Sequence, residues 1–135
     1  MDGHIFTAGL SQGVLRGEIS EGSGAHVLCK VRRNDGEYAL QSDVTAISHS
    51  VFDVTSATPD SATSSGALTV SAVVFDSLQY DSRWPSNGYN FLHEISQTIV
   101  PTGGHTYRIE YVFDAASGPD WVIVAELDVV PMRGS

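Results

Sequence analysis

Apolar and polar positions alternate most cleanly near the C-terminal end of the chain. Tyr107, Ile109, Tyr111 and Phe113 interleave with Thr106, Arg108, Glu110 and Val112, a period of two that sets every large aromatic on one side of a strand. After the compact loop Ala115 to Pro119, the residues Trp121, Ile123, Ala125, Leu127 and Val129 alternate with Val122, Val124, Glu126 and Asp128. The two runs predict an antiparallel hairpin. From Ala25 on, other short apolar runs are separated by turn signals. The first, His26 to Arg32, ends at Asn34-Asp35-Gly36, residues suited to a tight turn. In Val44 to Val54, Ile47 and Val51 fall on one phase and Phe52 and Val54 on the other, which predicts a bulge or burial on both faces. Leu68 to Leu78 mixes phases and reads as a central strand. Tyr89, Phe91, His93 and Ile95 alternate with Asn90, Leu92 and Glu94, which predicts a half-buried strand. The Ser/Thr-rich segment Thr55 to Gly66 reads as a loop. So does Asp81 to Gly88, because Pro85 has no N–H for a ladder and Asn87-Gly88 marks a turn.

A face of Tyr, Ile, Tyr and Phe must be covered, and no amphipathic helix of adequate length is available to cover it. A second sheet is therefore required. The expected architecture is all-β, an antiparallel β-sandwich of six to eight strands, counting Val14 to Ile19 or a short piece at Glu37 to Leu40. A closed small barrel is the structural alternative. Tyr107 follows the Gly103-Gly104 corner and opens a strong strand, the position of the tyrosine corner in immunoglobulin-like sandwiches. Residues 1–24 carry six glycines and scattered apolar positions, so they read as an extended Gly-rich arm that lies on its own domain or on a partner. The sandwich is expected over residues 25–131, with 132–135 as a tail.

Charge narrows the possible partners. Seven basic residues face sixteen acidic ones, for a net charge of −9, and such a field repels phosphate backbones and anionic lipid. Neither nucleic acid nor membrane is an expected partner. Lys30, Arg32 and Arg33 form the only close basic cluster and read as a charged strand end. No stretch is long and apolar enough to span a bilayer, and the first residues lack the order of a secretory signal. The lone Cys29 sits in the alternation Val27, Cys29, Val31 and reads as a buried thiol without a disulfide partner.

Candidate chemistry is sparse. GLSQG, Gly9 to Gly13, matches the nucleophile-elbow pattern around Ser11, but it lies in the Gly-rich arm with no strand of useful length before it. His4, His26, His49, His93 and His105 occur singly and without metal-ligand spacing. His49 and His93 share runs with core positions and read as satisfied strand histidines. Glu94, Glu110, Glu126 and Asp128 fall on polar phases, as solvated faces do, and the acids at Asp60, Asp76, Asp81 and Asp120 lack calcium-loop spacing. No catalytic residue, metal ligand or cofactor site is expected. Tyr80, Arg83 and Trp84 form the surface cluster best suited to an interface, because Tyr, Arg and Trp are favoured anchors. The apolar arm residues Ile5, Phe6, Leu10, Val14 and Leu15 are the other candidate partner contacts.

The runs VRRNDGEYAL, DVTAISHSVFDV, GYNFLHEI and PTGGHTYRIEYVFDAASGPDWVIVAELDVV resemble those of small immunoglobulin-like β-sandwich structural proteins of tailed bacteriophages, over about Val27 to Val130. The resemblance implies a non-enzymatic virion component. Its preferred form is a capsid decoration (cement) protein that binds the major capsid protein, or another virion structural protein, and stabilises neighbouring subunits. A tail, neck or baseplate accessory is the alternative. It also implies a homo-oligomer, a trimer by analogy, located in the virion. From a different class, a carbohydrate-binding sandwich would need Trp84, Tyr80 and Trp121 as an exposed aromatic platform. A small hydrolase would need Ser11, or a histidine and carboxylate pair, beside a pocket.

Overall fold

The computed structural model describes residues 3–5, 14–33, 35–81 and 84–132. Nine strands are present among them: β1 (Gly3–Ile5), β2 (Val14–Ser20), β3 (Ala25–Cys29), β4 (Val44–Asp53), β5 (Ala62–Leu68), β6 (Val74–Asp81), β7 (Trp84–Ile95), β8 (Thr106–Ala115) and β9 (Trp121–Val130). One turn of helix, α1 (Val70–Val73), links β5 to β6. The strands form a four-stranded sheet, β1-β3-β7-β6, and a five-stranded sheet, β2-β9-β8-β4-β5. Strands β3, β7 and β6 stand in the order of strands B, E and D of immunoglobulin-like sandwiches, whereas β1 pairs parallel to β3. Strands β4, β8 and β9 take the places of C, F and G, and β5 extends the second sheet.

Period-two patterning decides which side chains enter the space between the sheets. Tyr107, Ile109, Tyr111 and Phe113 of β8 and Trp121, Ile123, Ala125, Leu127 and Val129 of β9 are all buried, and the two strands pair as the expected hairpin. Phe91 of β7 meets them from the other sheet, edge-on to both Tyr111 and Phe113 with ring centres 5.2 Å apart in each case, a preferred aromatic geometry. Tyr107 makes the corner contact that its position predicts: its hydroxyl accepts a hydrogen bond from the Thr102 backbone N–H at 3.1 Å. The phase change in β4 is a pairing irregularity between Val51 and Phe52.

Several expectations need correction. Residues 14–20, read as part of an arm lying on its own domain or on a partner, are a strand of the domain itself: β2 pairs with β9 over its whole length, and Leu15 and Ile19 point into the core. The sheets are not wholly antiparallel, because β1 with β3 and β2 with β9 are parallel pairs. The strand count exceeds eight, since β1 and β5 are added, while Glu37 to Leu40 contributes only the bridge Arg32↔Tyr38. The segment read as one central strand, Leu68 to Leu78, is the end of β5, the helical turn α1, and the start of edge strand β6. Its mixed phase comes from that turn. Thr55 to Gly66 is a loop only as far as β5, which begins at Ala62. Finally, β7 starts at Trp84 and runs through Pro85. The ladder with β6 is irregular there, between the pairs Gln79↔Tyr89 and Asp81↔Trp84, and an irregular edge tolerates a missing N–H.

Asn90 was expected on a polar phase but is 1% exposed. Its Oδ1 accepts from the Val31 N–H at 2.6 Å, and its Nδ2 donates to the carbonyls of Val31 and Ala39 at 2.9 and 3.0 Å. It is buried because it binds the backbone of the β3–β4 connection to β7.

Candidate functional site

Because β5 ends its sheet, one edge of its ladder has no strand partner among the described residues. Residues 62–68, ATSSGAL, contain no charge and no proline, the features by which edge strands normally resist pairing with another chain. Register carries this uncharged character across the outer face of the sheet. Val122 pairs with Val112, Val112 with Ser48, and Ser48 with Ala67, so one row runs across four strands without a charged group. Val122 is 46% exposed, and Val14, on the neighbouring row, is 45% exposed. The row of Val14 carries Glu110, and the row beyond it carries Arg16, Glu126 and Arg108; these charges pair with one another. Arg16 bonds Glu126, and Arg108 lies 2.8 Å from Glu110 and 3.6 Å from Glu126. On a chain of net charge −9, the uncharged row and the β5 edge form a continuous surface, while the exposed acids Glu18 and Asp128 stand in register at one end of the same face.

The contact residues expected from sequence fall in different places. Val14 is exposed on this outer face, beside Val124 in register. Leu15 is 5% exposed and packs in the core, so it is not a surface contact; strand alternation turns it inward when its neighbour faces out. Ile5 lies on β1, opposite Val27. Tyr80, on β6, is 70% exposed. Trp84 begins β7, and its side chain lies outside the described residues, as do Phe6, Leu10, Ser11 and Arg83. Trp121 is 2% exposed and packs against Phe113, which removes it from any sugar-stacking platform.

Two polar clusters were not anticipated. Asp53, at the end of β4, holds His105 by a 2.7 Å contact between Oδ2 and Nδ1, and its Oδ1 accepts from the Thr55 N–H. A cavity of about 330 Å³ lined by Asp53, Ser64, Thr98 and Thr102 adjoins it. The pair ties the β4–β5 turn to the start of β8, and among the described residues no hydroxyl or thiol side chain bonds His105. A histidine–carboxylate pair is thus present, without the nucleophile contact that acyl-transfer chemistry needs.

The second cluster lies between the sheets. His49 of β4 and His93 of β7 face each other with ring centres 5.2 Å apart. His93 Nδ1 is 2.7 Å from the Tyr111 hydroxyl, and His49 Nδ1 is 3.0 Å from the Gly66 carbonyl oxygen. Burial, reinforced by the neighbouring His49, lowers the His93 pKa to about 4, so the ring is neutral at pH 7. Burial also raises the Tyr111 phenol and pushes the Cys29 thiol up to about 12, which keeps both protonated. No three His, Cys, Asp or Glu side chains converge among the described residues. A signal for this cluster was present in the sequence: His49 shares the phase of Ile47 and Val51, and His93 that of Phe91 and Ile95. Which strands would bring them together was not legible.

No family model matches this chain, and no curated protein matches it.

Proposed function

We propose that this chain is a non-enzymatic assembly module that docks through the outer face of its five-stranded sheet and the open edge of β5. On the resemblance of its strand sequences to those of phage sandwiches, its setting is a virion. There it acts as a capsid decoration protein, bridging the major capsid protein or another structural subunit and associating with further copies of itself. The observation that supports this reading is the uncharged, proline-free edge strand continuous with an uncharged row, on a chain otherwise acidic. Strand addition at such an edge supplies main-chain hydrogen bonds, and the side chains of the flanking row supply specificity. A tail, neck or baseplate partner would engage the same surface.

The test is light-scattering mass together with amide exchange. The native chain is expected to form a homo-oligomer in which the amides of residues 62–68 are protected. Ser65→Glu with Ala67→Glu, both on exposed positions, should return it to a monomer that unfolds normally. A native monomer with freely exchanging β5 amides, at concentrations of order 100 µM, would overturn the self-associating form of the proposal. Deleting residues 1–22 would remove β2 as well, so the role of the amino-terminal arm is tested by a deletion that stops at residue 12.

A further inference from the structure

The spacing of the two inter-sheet histidines suits a shared metal ion, independently of the assembly reading. Their ring centres stand 5.2 Å apart, with the planes inclined at 62°. Two imidazoles on one tetrahedral ion, each at about 2.0–2.1 Å through nitrogen, place their ring centres about 5 Å apart. The His49 ring is also oriented through the nitrogen that a metal would not use. The Gly66 carbonyl can only accept, so His49 donates from Nδ1 to it at 3.0 Å, and in the neutral ring Nε2 is then a bare lone pair. His93 is fixed through Nδ1 by the Tyr111 hydroxyl at 2.7 Å. When His93 donates in that bond it too presents a free Nε2. An outer hydrogen bond from one ring nitrogen, to a carbonyl or other oxygen, is the usual companion of metal ligation through the other.

Access and ligand chemistry agree with this. Neither Nε2 has a hydrogen-bond partner among the described residues, and both side chains are part-exposed rather than sealed in the core. They stand on β4 and β7, each one strand in from the neighbouring edge strands β5 and β6. Gly66, beside His49, leaves the approach without a side chain; a Cβ there would sit 3.6 Å from His49 Cε1. Imidazole nitrogen suits zinc, copper and nickel and does not suit calcium or magnesium. We propose that His49 and His93 together bind one divalent transition ion of the zinc class between the two sheets, with water completing its coordination.

The experiment is a Zn²⁺ titration by calorimetry on the full chain without a histidine tag, with imidazole ¹⁵N spectra recorded in parallel. One saturable site per chain is expected, with the Nε2 resonances of His49 and His93 displaced and those of His26 and His105 unmoved. His49→Gln and His93→Gln should each weaken binding at least tenfold, while His26→Gln leaves it unchanged. Absence of saturable uptake, displacement of other histidines instead, or full affinity in either variant would overturn the assignment. Should His93→Gln fail to fold, the native-chain spectra and His49→Gln still decide it.

Discussion

Replacing Asn90 by Ala removes a side chain that is 1% exposed and makes three hydrogen bonds. The consequence follows from what each partner has left. The Val31 carbonyl still accepts from the Ala39 N–H at 2.9 Å, so it remains satisfied. The Val31 N–H and the Ala39 carbonyl lose their side-chain partner, at residues only 2% and 1% exposed. Each buried group left unsatisfied costs about 1–3 kcal/mol. We therefore expect a loss of about 3–4 kcal/mol, a large share of the roughly 5–15 kcal/mol typical of a domain. Asn90→Asp keeps the acceptor for Val31 N–H but turns a carboxylate oxygen toward two carbonyls, so it should be no less damaging. Urea unfolding followed by tryptophan fluorescence reads the effect, because Trp121 is buried. Ser50→Ala, on the outer face, serves as a control expected to fall within about 0.5 kcal/mol of native. A loss below about 1 kcal/mol for Asn90→Ala would refute the reasoning, since it would mean that both backbone groups find other partners.

Two further predictions concern the aromatic and histidine interior. His93 has a folded pKa of about 4, below the roughly 6.5 of an unfolded histidine, so the unfolded chain binds more protons between those values. Stability is then fully present above about pH 6.5 and is lost as pH falls toward 4; because the ring is part-exposed, solvent screening limits the loss to on the order of 1–2 kcal/mol. Urea midpoints in metal-free buffer at pH 7 and pH 4.5 measure it, and His93→Gln should remove that part of the slope; an unaltered slope would count against His93 as its source. Tyr107→Phe deletes the acceptor of the Thr102 N–H and should cost about 1 kcal/mol, while Tyr38→Phe, at the Arg32 contact, should cost less because that site is near the surface; the reverse order would argue against a corner role for Tyr107.

Much of the architecture was legible because a strand with one buried face writes its orientation into alternate residues. The β8–β9 hairpin, the bulge near Phe52 and the Tyr107 corner all carried such a local signal. Reading failed where a residue's environment came from elsewhere in the chain. Ala62–Leu68 looks like a loop because its strand character depends on β4 beside it and on little burial of its own. Asn90 looks solvated because its partners, Val31 and Ala39, lie far away in sequence. Of the proposed docking surface, Val14 was identified as a candidate, whereas Tyr80 lies on β6 of the other sheet; the uncharged row through Val112, Ser48 and Ala67 was not identified, because it exists only once register aligns three pairings.

By itself the sequence determined the class of the protein. Period-two patterning without a covering helix demands two sheets. Tertiary structure alone decided that β2 and β5 form the two edges of the five-stranded sheet, and that Leu15 turns inward while Val14 faces out. It alone set His49 against His93. The physical reason is common to all three: alternation is a property of a single strand, whereas edges, rows and facing side chains are properties of how strands are ordered, and that order is settled by long-range pairing.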